Sequence, residues 1–383
     1  MEEKHVLIRA DGNAAVAMGH VMRCLTLADA LAKQHIRVTF VSADDGSVSV
    51  IEERGYSCRV LGTDYAHPEE ELPAIRRMIE ELEPDLLLAD SYYVTPAYFA
   101  DLRGLCPLAL IDDFGEQAFP VDILINFQCY GAEVGYASLY KKAGMPLPKL
   151  FTGAQFIPLR SEYATAGKSR REKDVRDVLI LTGGSDPLAV AAAIAEALHD
   201  ERPAAEDAGS KTVQKTRSGN DVCYHFLCGR FSKSLPVLEK LTAIDDHLIL
   251  HTWTDAFWDF IRDFDLAVTA AGGTVYELCA AALPFIVYTF AKNQWQTAAW
   301  LPVHAGIPSA GDVILRKGEA GAVASEGECV DVHAIRDLVD LIHGLEQDPA
   351  KRDAIRSSMQ TVTDGMGASR LASELATFLE KRA

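Results

Sequence analysis

The chain has 383 residues, 49% of them hydrophobic and 24% charged, which suffices for two domains with separate cores and excludes a disordered chain or a small disulfide scaffold. Lysine and arginine number 37 against 55 aspartates and glutamates, and the resulting charge of −18 repels nucleic-acid backbones and anionic membranes. Nucleotide-sized phosphates remain open as ligands, because backbone N–H groups and helix starts hold them without side-chain cations.

The charged N-terminus runs into a short apolar stretch over 5–9, which predicts a first strand and is too short for a signal peptide. No later stretch approaches the roughly 20 apolar residues of a membrane span, so a cytoplasmic protein with no membrane insertion is expected. The eight cysteines form no CxxC pair, which argues against zinc and for small buried residues in a reducing compartment. Further strands are predicted over 37–41, 85–89, 108–111 and 123–126, with amphipathic helices over 21–33 and 69–83. Several of these strands are nearly continuous apolar runs, as in a parallel sheet covered on both faces. The alternation is that of a doubly wound α/β domain.

The pattern weakens over 136–173, where Gly144, Pro146, Pro148 and Pro158 precede a charged run, and this marks the passage between domains. A second series then begins, with strands over 178–181, 223–227, 248–250, 266–269 and 285–288 and helices over 188–199 and 275–281. The expected organisation is a Rossmann-like domain over 1–160, a linker over 161–176, a second Rossmann-like domain over 177–360 and a C-terminal helix over 361–383. The polar stretch 199–221 lacks periodicity and reads as a surface loop.

Residues able to do chemistry cluster at the predicted strand ends. After the first strand, Asp11-Gly12-Asn13 leads into a helix beginning near Gly19-His20. No GxGxxG is present there, which disfavours a nicotinamide enzyme. In the first helical turn the macrodipole disfavours an imidazolium, so His20 is placed to accept a proton as a general base; the plainer alternative is a capping or surface histidine. Arg23 lies one turn on, facing the same way or simply solvated. Asp90-Ser91-Tyr92-Tyr93, Asp112-Asp113 and Asn126 follow later strands, and either converge on a substrate or cap the next helices. The paired aspartates lack a third ligand at a typical spacing, so no metal is expected.

The second half carries two glycine turns, Gly183-Gly184-Ser185-Asp186-Pro187 and Gly272-Gly273-Thr274. Each lets backbone N–H groups approach an anion at a helix start. Glu277, one turn beyond Thr274, is placed to chelate ribose hydroxyls or merely to favour the helix dipole. Asn293 and Gln294 add amide donors after the strand 285–288.

GHVMRCLTLADAL over 19–31, Asp112-Asp113, the segment 122–126, GAQFIPLR over 153–160, both glycine turns with Glu277, and Asn293-Gln294 occur together in this order. In them the chain resembles the PseG family of UDP-2,4-diacetamido-2,4,6-trideoxy-β-L-altropyranose hydrolases, which includes the spore-coat polysaccharide protein SpsG; the likeness runs over about residues 4–310. The resemblance implies a GT-B fold, with two Rossmann-like domains facing a cleft, and metal-free, cofactor-free hydrolysis of a UDP-sugar at the anomeric carbon with inversion. It implies His20 as the base that activates water, Glu277 as the ribose ligand, Arg160 as a substrate contact and Asn293 as a polar contact near the diphosphate and sugar; from their places at the strand ends, Asp11, Arg23 and Tyr92 are expected to join the substrate contacts. Gly183, Gly184, Gly272, Gly273, Thr274, Glu277 and Gln294 would hold the nucleotide. A GT-B glycosyltransferase and a non-catalytic nucleotide-sugar binding protein are the alternatives.

Overall fold

Buried aliphatic runs become strands. In a computed structural model that describes residues 3–13, 16, 18–165, 174–183, 186–201, 222–229, 231–252, 254, 256–316 and 328–382, the first sheet has seven strands. They are β1 (His5–Ala10), β2 (Arg37–Ser42), β3 (Ser57–Val60), β4 (Leu86–Asp90), β5 (Leu108–Ile111), β6 (Ile123–Asn126) and β7 (Lys149–Thr152). All pair in parallel, in the order β3-β2-β1-β4-β5-β6-β7. β1, β4, β5 and β6 are buried at every position, as their largely apolar sequences lead one to expect.

The second sheet repeats the plan with β8 (Asp177–Leu181), β9 (Cys223–Leu227), β10 (Leu248–His251), β11 (Leu266–Ala270), β12 (Phe285–Thr289) and β13 (Ser309–Asp312). Its order is β10-β9-β8-β11-β12-β13, again parallel throughout. The chain divides into two compact units, Met1–Ala164 with Gly365–Ala383, and Thr165–Asp364.

The structure differs from the sequence expectation in three places. Within 136–173, where the apolar pattern weakens, the chain still forms the helix Tyr136–Ala143 and then β7, both in the first unit. β7 is an edge strand with Phe151 alone fully buried, so it carries little periodicity to read. β3 is missed for the same reason, its four residues being half-buried or exposed. The final helix, Gly367–Glu380, belongs to the first unit, where it packs on the helix Gly19–Ala32 through Leu371, Ala372, Leu375 and Leu379. Its first residue must be glycine, because a Cβ there would stand 2.2 Å from the Ile157 carbonyl oxygen. Most of the loop expected over 199–221 lies outside the described residues.

A buried ion network braces the first unit. Arg9, on β1, donates Nε and Nη2 to Glu71 at 2.8 and 2.7 Å and Nη1 to Asp11 at 2.6 Å. Tyr98 donates its hydroxyl to the same glutamate at 2.8 Å. Burial works against the charge on Arg9, but Glu71 and Asp11 together hold the guanidinium protonated. Arg9 and Glu71 are 0% exposed, so neither charge has water to fall back on. Glu71→Gln leaves the arginine short of its counter-charge and is expected to cost about 3–5 kcal/mol of unfolding free energy in urea titration.

In the second unit the helix Val332–Glu346 carries His343, whose Nδ1 meets Glu346 at 2.9 Å and whose Nε2 meets Glu201 at 2.9 Å. The hydrogen bond to Glu346 outweighs partial burial and, with Glu201, raises this imidazole to about 9. A raised folded value stabilises below the ordinary histidine value, and that contribution is lost as pH climbs from about 6.5 through about 9. Urea titrations between pH 6 and 10 should therefore show a loss of stability that His343→Gln flattens.

Candidate active site

Ligands of doubly wound sheets bind at the carboxyl ends of the strands, where the strand order reverses. In the first unit that point lies between β1 and β4. His20 stands in the first turn of the helix that follows β1, and Asp90 is the last residue of β4. His20 Nδ1 lies 2.7 Å from Asp90 Oδ1. Arg23, one turn along, takes the same carboxylate from its other side, with Nε 2.6 Å from Oδ2 and Nη2 2.5 Å from Oδ1. Its Nη1 donates to Asp113 at 2.9 Å, and its guanidinium lies 5.0 Å above the Phe127 ring.

These charges decide where the imidazole proton sits. Burial pushes the Asp90 carboxyl up, but the charge and hydrogen bonds of Arg23, followed by those of His20, hold it below the usual carboxylate range. An ionised carboxylate only accepts, so Nδ1 is the nitrogen that carries hydrogen, and in the neutral ring Nε2 keeps its lone pair. Arg23 Nη2, itself only a donor, lies farther from Nδ1 at 3.2 Å, so the 2.7 Å contact to the carboxylate decides the tautomer. The helix start alone was the sequence argument for this histidine; the structure adds a carboxylate that orients it. The His20 side chain keeps 8% of its surface exposed.

The neighbouring acids divide their work. Asp113 accepts from Arg23, from the Tyr92 hydroxyl at 3.0 Å and from Gln128 Nε2 at 2.9 Å. Asp112 instead accepts the Phe114 and Gly115 N–H groups and the Tyr136 hydroxyl, and so builds the turn that aims Asp113. Burial raises the Asp112 carboxyl, whereas burial and Asp113 raise the Tyr92 phenol, which remains a donor. The Tyr92 ring meets His20 edge-on at 4.5 Å and Phe114 at 5.0 Å. With 47% and 38% of their surfaces exposed, Tyr92 and Phe114 form an aromatic rim beside the histidine.

In the second unit the reversal lies between β8 and β11. Gly272, Gly273 and Thr274 follow β11, and the helix Thr274–Ala281 starts there with no side-chain cap. The Val275 and Tyr276 N–H groups close back on the Gly272 and Gly273 carbonyls at 3.3 and 3.1 Å, which leaves the Gly273 and Thr274 N–H groups at the positive end of the dipole. A Cβ added at Gly272 or Gly273 would meet no atom within 4 Å, and neither residue has a positive φ. Neither packing nor backbone conformation calls for glycine at these positions. Gly183, at φ +81°, needs glycine for its conformation. Glu277 is half-buried in the first turn of the same helix.

Other expected site residues stand elsewhere. Asp11 is 3% exposed, with one oxygen on Arg9 and the other accepting the Ala43 N–H at 2.8 Å, so it serves the frame of the first unit. Gln294 is buried and its side-chain oxygen accepts the Phe290 N–H at 2.9 Å, while Asn293 beside it is exposed. Arg160 is half-buried ahead of the short helix Glu162–Thr165. Gly184 lies outside the described residues. Among the described residues no group of three or more histidine, cysteine or acidic side chains is arranged to hold a metal ion, and no helix is long and apolar enough to cross a membrane.

No family model matches the chain. The spore coat polysaccharide biosynthesis protein SpsG of Bacillus subtilis is 24% identical over 299 residues, which cover 77% of this chain and 80% of that protein. An uncharacterised protein of Methanocaldococcus jannaschii is 24% identical over 290 residues, 74% of this chain and 55% of the relative, so the match spans about half of that longer protein. Among solved structures, Acinetobacter baumannii MurG superposes with a TM-score of 0.63 at 13% identity, covering 99% of both chains. A putative UDP-N-acetylglucosamine 2-epimerase from Listeria monocytogenes gives 0.63 at 14% identity, covering 99% of this chain and 97% of the other. The fold is GT-B-like.

Within each Rossmann-like unit of this GT-B-like chain, the strand-order reversal gathers part of the expected set: His20, Arg23 and Tyr92 in the first, Gly183, Gly272, Gly273, Thr274 and Glu277 in the second. Sequence reasoning left Asp90 and Asp113 undecided between capping and convergence and missed Gln128. The available signal was a carboxylate ending an otherwise apolar strand. Asp90→Asn removes one of the two counter-charges of Arg23, leaving Asp113, and is expected to destabilise the protein by up to about 3 kcal/mol. Because an amide presents either a donor or an acceptor, ¹⁵N NMR of His20 should also change from one Nδ1–H tautomer to a mixture. Retention of a single tautomer would remove Asp90 as the orienting group.

Proposed function

We propose that the protein acts on a UDP-linked sugar and hydrolyses it. Water replaces UDP at the anomeric carbon of a diacetamido-trideoxy sugar, with inversion and without a metal ion. The free sugar would serve nonulosonic acid or spore-coat polysaccharide synthesis. The observation that carries this reading is the buried Asp90–His20 contact at a sheet reversal, which leaves Nε2 as the basic atom of the ring. The open glycine turns of the second unit support a nucleotide ligand. Further support comes from the relative named for spore coat polysaccharide biosynthesis and from the S. aureus MnaA–UDP co-structure, which shares the fold with a TM-score of 0.63 at 14% identity.

In this reading His20 Nε2 takes a proton from water as the water oxygen attacks the anomeric carbon. The bond from that carbon to the diphosphate oxygen breaks, and its electron pair leaves with UDP. Asp90 stays ionised and stabilises the imidazolium that forms. Backbone N–H groups at Gly273 and Thr274 stabilise the departing diphosphate, so the chemistry needs no strong general acid. Glu277 holds the ribose hydroxyls, Gly183, Gly184 and Gln294 complete the nucleotide contacts, and Arg23, Tyr92, Arg160 and Asn293 contact the sugar or diphosphate.

UDP release from a panel of UDP-diacetamido sugars tests the proposal. Turnover should survive a chelator and fall by about 10²–10⁴-fold in His20→Ala. Equal turnover in the variant would dismiss His20 as base. UDP release only after an acceptor is added would replace hydrolysis by transfer, and recovery of an epimerised sugar nucleotide would replace it by epimerisation.

A further inference from the structure

One exposed aromatic side chain in the second unit has no part in the roles above. β8 and β9 are parallel neighbours with Leu181 opposite Leu227, so the chain leaves both strands at one level, before Gly183 in one and Gly229 in the other. After Gly229 it turns, the Ser232 N–H bonding the Gly229 carbonyl at 2.9 Å, and Phe231 projects from the bend. Phe231 is 81% exposed, more than any other large apolar side chain among the described residues. A lone apolar residue on a surface needs no explanation, so its setting has to decide.

The setting is braced from below. Asp186 is 1% exposed and accepts the Val190 and Ala191 N–H groups at 2.8 and 3.2 Å, capping the helix Val190–Asp200. Its Oδ2 also accepts the Ser232 hydroxyl at 3.3 Å and the Ser234 hydroxyl. One buried carboxylate thus ties the segment after Gly183 to the turn that bears Phe231. Asp186 itself is at φ +37° and Ala189 at φ +57°, left-handed conformations that non-glycine residues keep only where surrounding bonds enforce them. The ring is therefore held out at the sheet edge on a fixed base, and ordering it on binding costs little.

Position supplies the ligand. Across the carboxyl edge the order is β9, β8, β11, so about two strand spacings, roughly 10 Å, separate the Phe231 turn from the helix start at Gly273. Between them lies the Gly183 turn, with open space above its Cα. An extended nucleoside diphosphate with its phosphates on Gly273 and Thr274 crosses this turn and brings its base to Phe231.

We infer that Phe231 is the stacking face for the base of the bound nucleotide. The inference rests on the reading that the second unit binds a UDP-sugar. Stacking on a phenyl ring tolerates any planar base, so Phe231 supplies affinity, and discrimination among bases comes from other groups.

Calorimetric titration of the full chain with UDP and, separately, with inorganic pyrophosphate tests it. Phe231→Ala should weaken UDP binding by about 10-fold or more, Phe231→Trp should restore it, and pyrophosphate affinity should be the same in all three proteins. An unchanged UDP affinity in Phe231→Ala overturns the stacking role and leaves the nucleotide reading standing. Equal losses for UDP and pyrophosphate also overturn it, since they mark a damaged turn. Absence of UDP binding in the unaltered protein overturns both.

Discussion

The Asp90 carboxylate is the point on which the first unit's chemistry turns. It ends a wholly buried strand, where an unpaired negative charge would be costly. Three side chains of one helix offset that cost: the Arg23 guanidinium, which binds it through two nitrogens, His20, and the Cys24 thiol at 3.3 Å. Arg23 supplies a positive charge beside the carboxylate, and His20 adds a hydrogen bond through Nδ1. Stability and orientation here are the same set of bonds. The histidine is aimed because the carboxylate had to be satisfied.

Both units use the same architectural opportunity. A reversal of strand order opens the carboxyl edge of a parallel sheet and leaves helix starts there with unsatisfied N–H groups. The first unit lines that edge with ionisable side chains held by one another, and the second leaves its backbone bare at Gly272 and Gly273. One edge is thus suited to moving a proton and the other to holding an anion. Behind each edge lies a buried polar hub, Arg9 with Glu71 and Asp11 in the first unit and Asp186 with its two serines in the second. These hubs fix the loops without reaching solvent, and that is why Asp11, which the sequence places at a strand end like the site residues, serves the frame.

The doubly wound plan was legible because its central strands carry apolar runs such as those over 6–8 and 86–89, and burial on both faces leaves little alternation. The first helix and its histidine were legible from spacing, as were the glycine turns from their residue types. Edge strands were less so: β10 was legible from its Leu248-Ile249-Leu250 run, but β3, β7 and β13 were not. β3 and β7 bury too few side chains to imprint a period, and the final helix shows its amphipathic face without showing which unit it covers.

The amino-acid sequence by itself determined two parallel α/β sheets and set His20, Gly272, Gly273 and Glu277 at their strand ends, since local periodicity and residue type suffice for that. Only the tertiary structure decided that Asp90 orients His20 while Asp11 bonds Arg9 instead, that Asp112 and Asp113 point to different tasks, and that Phe231 stands on a turn tied to Asp186. Those outcomes depend on which strands become neighbours, and pairing between residues some 70 positions apart, as in Asp90 with His20, leaves no trace in local pattern.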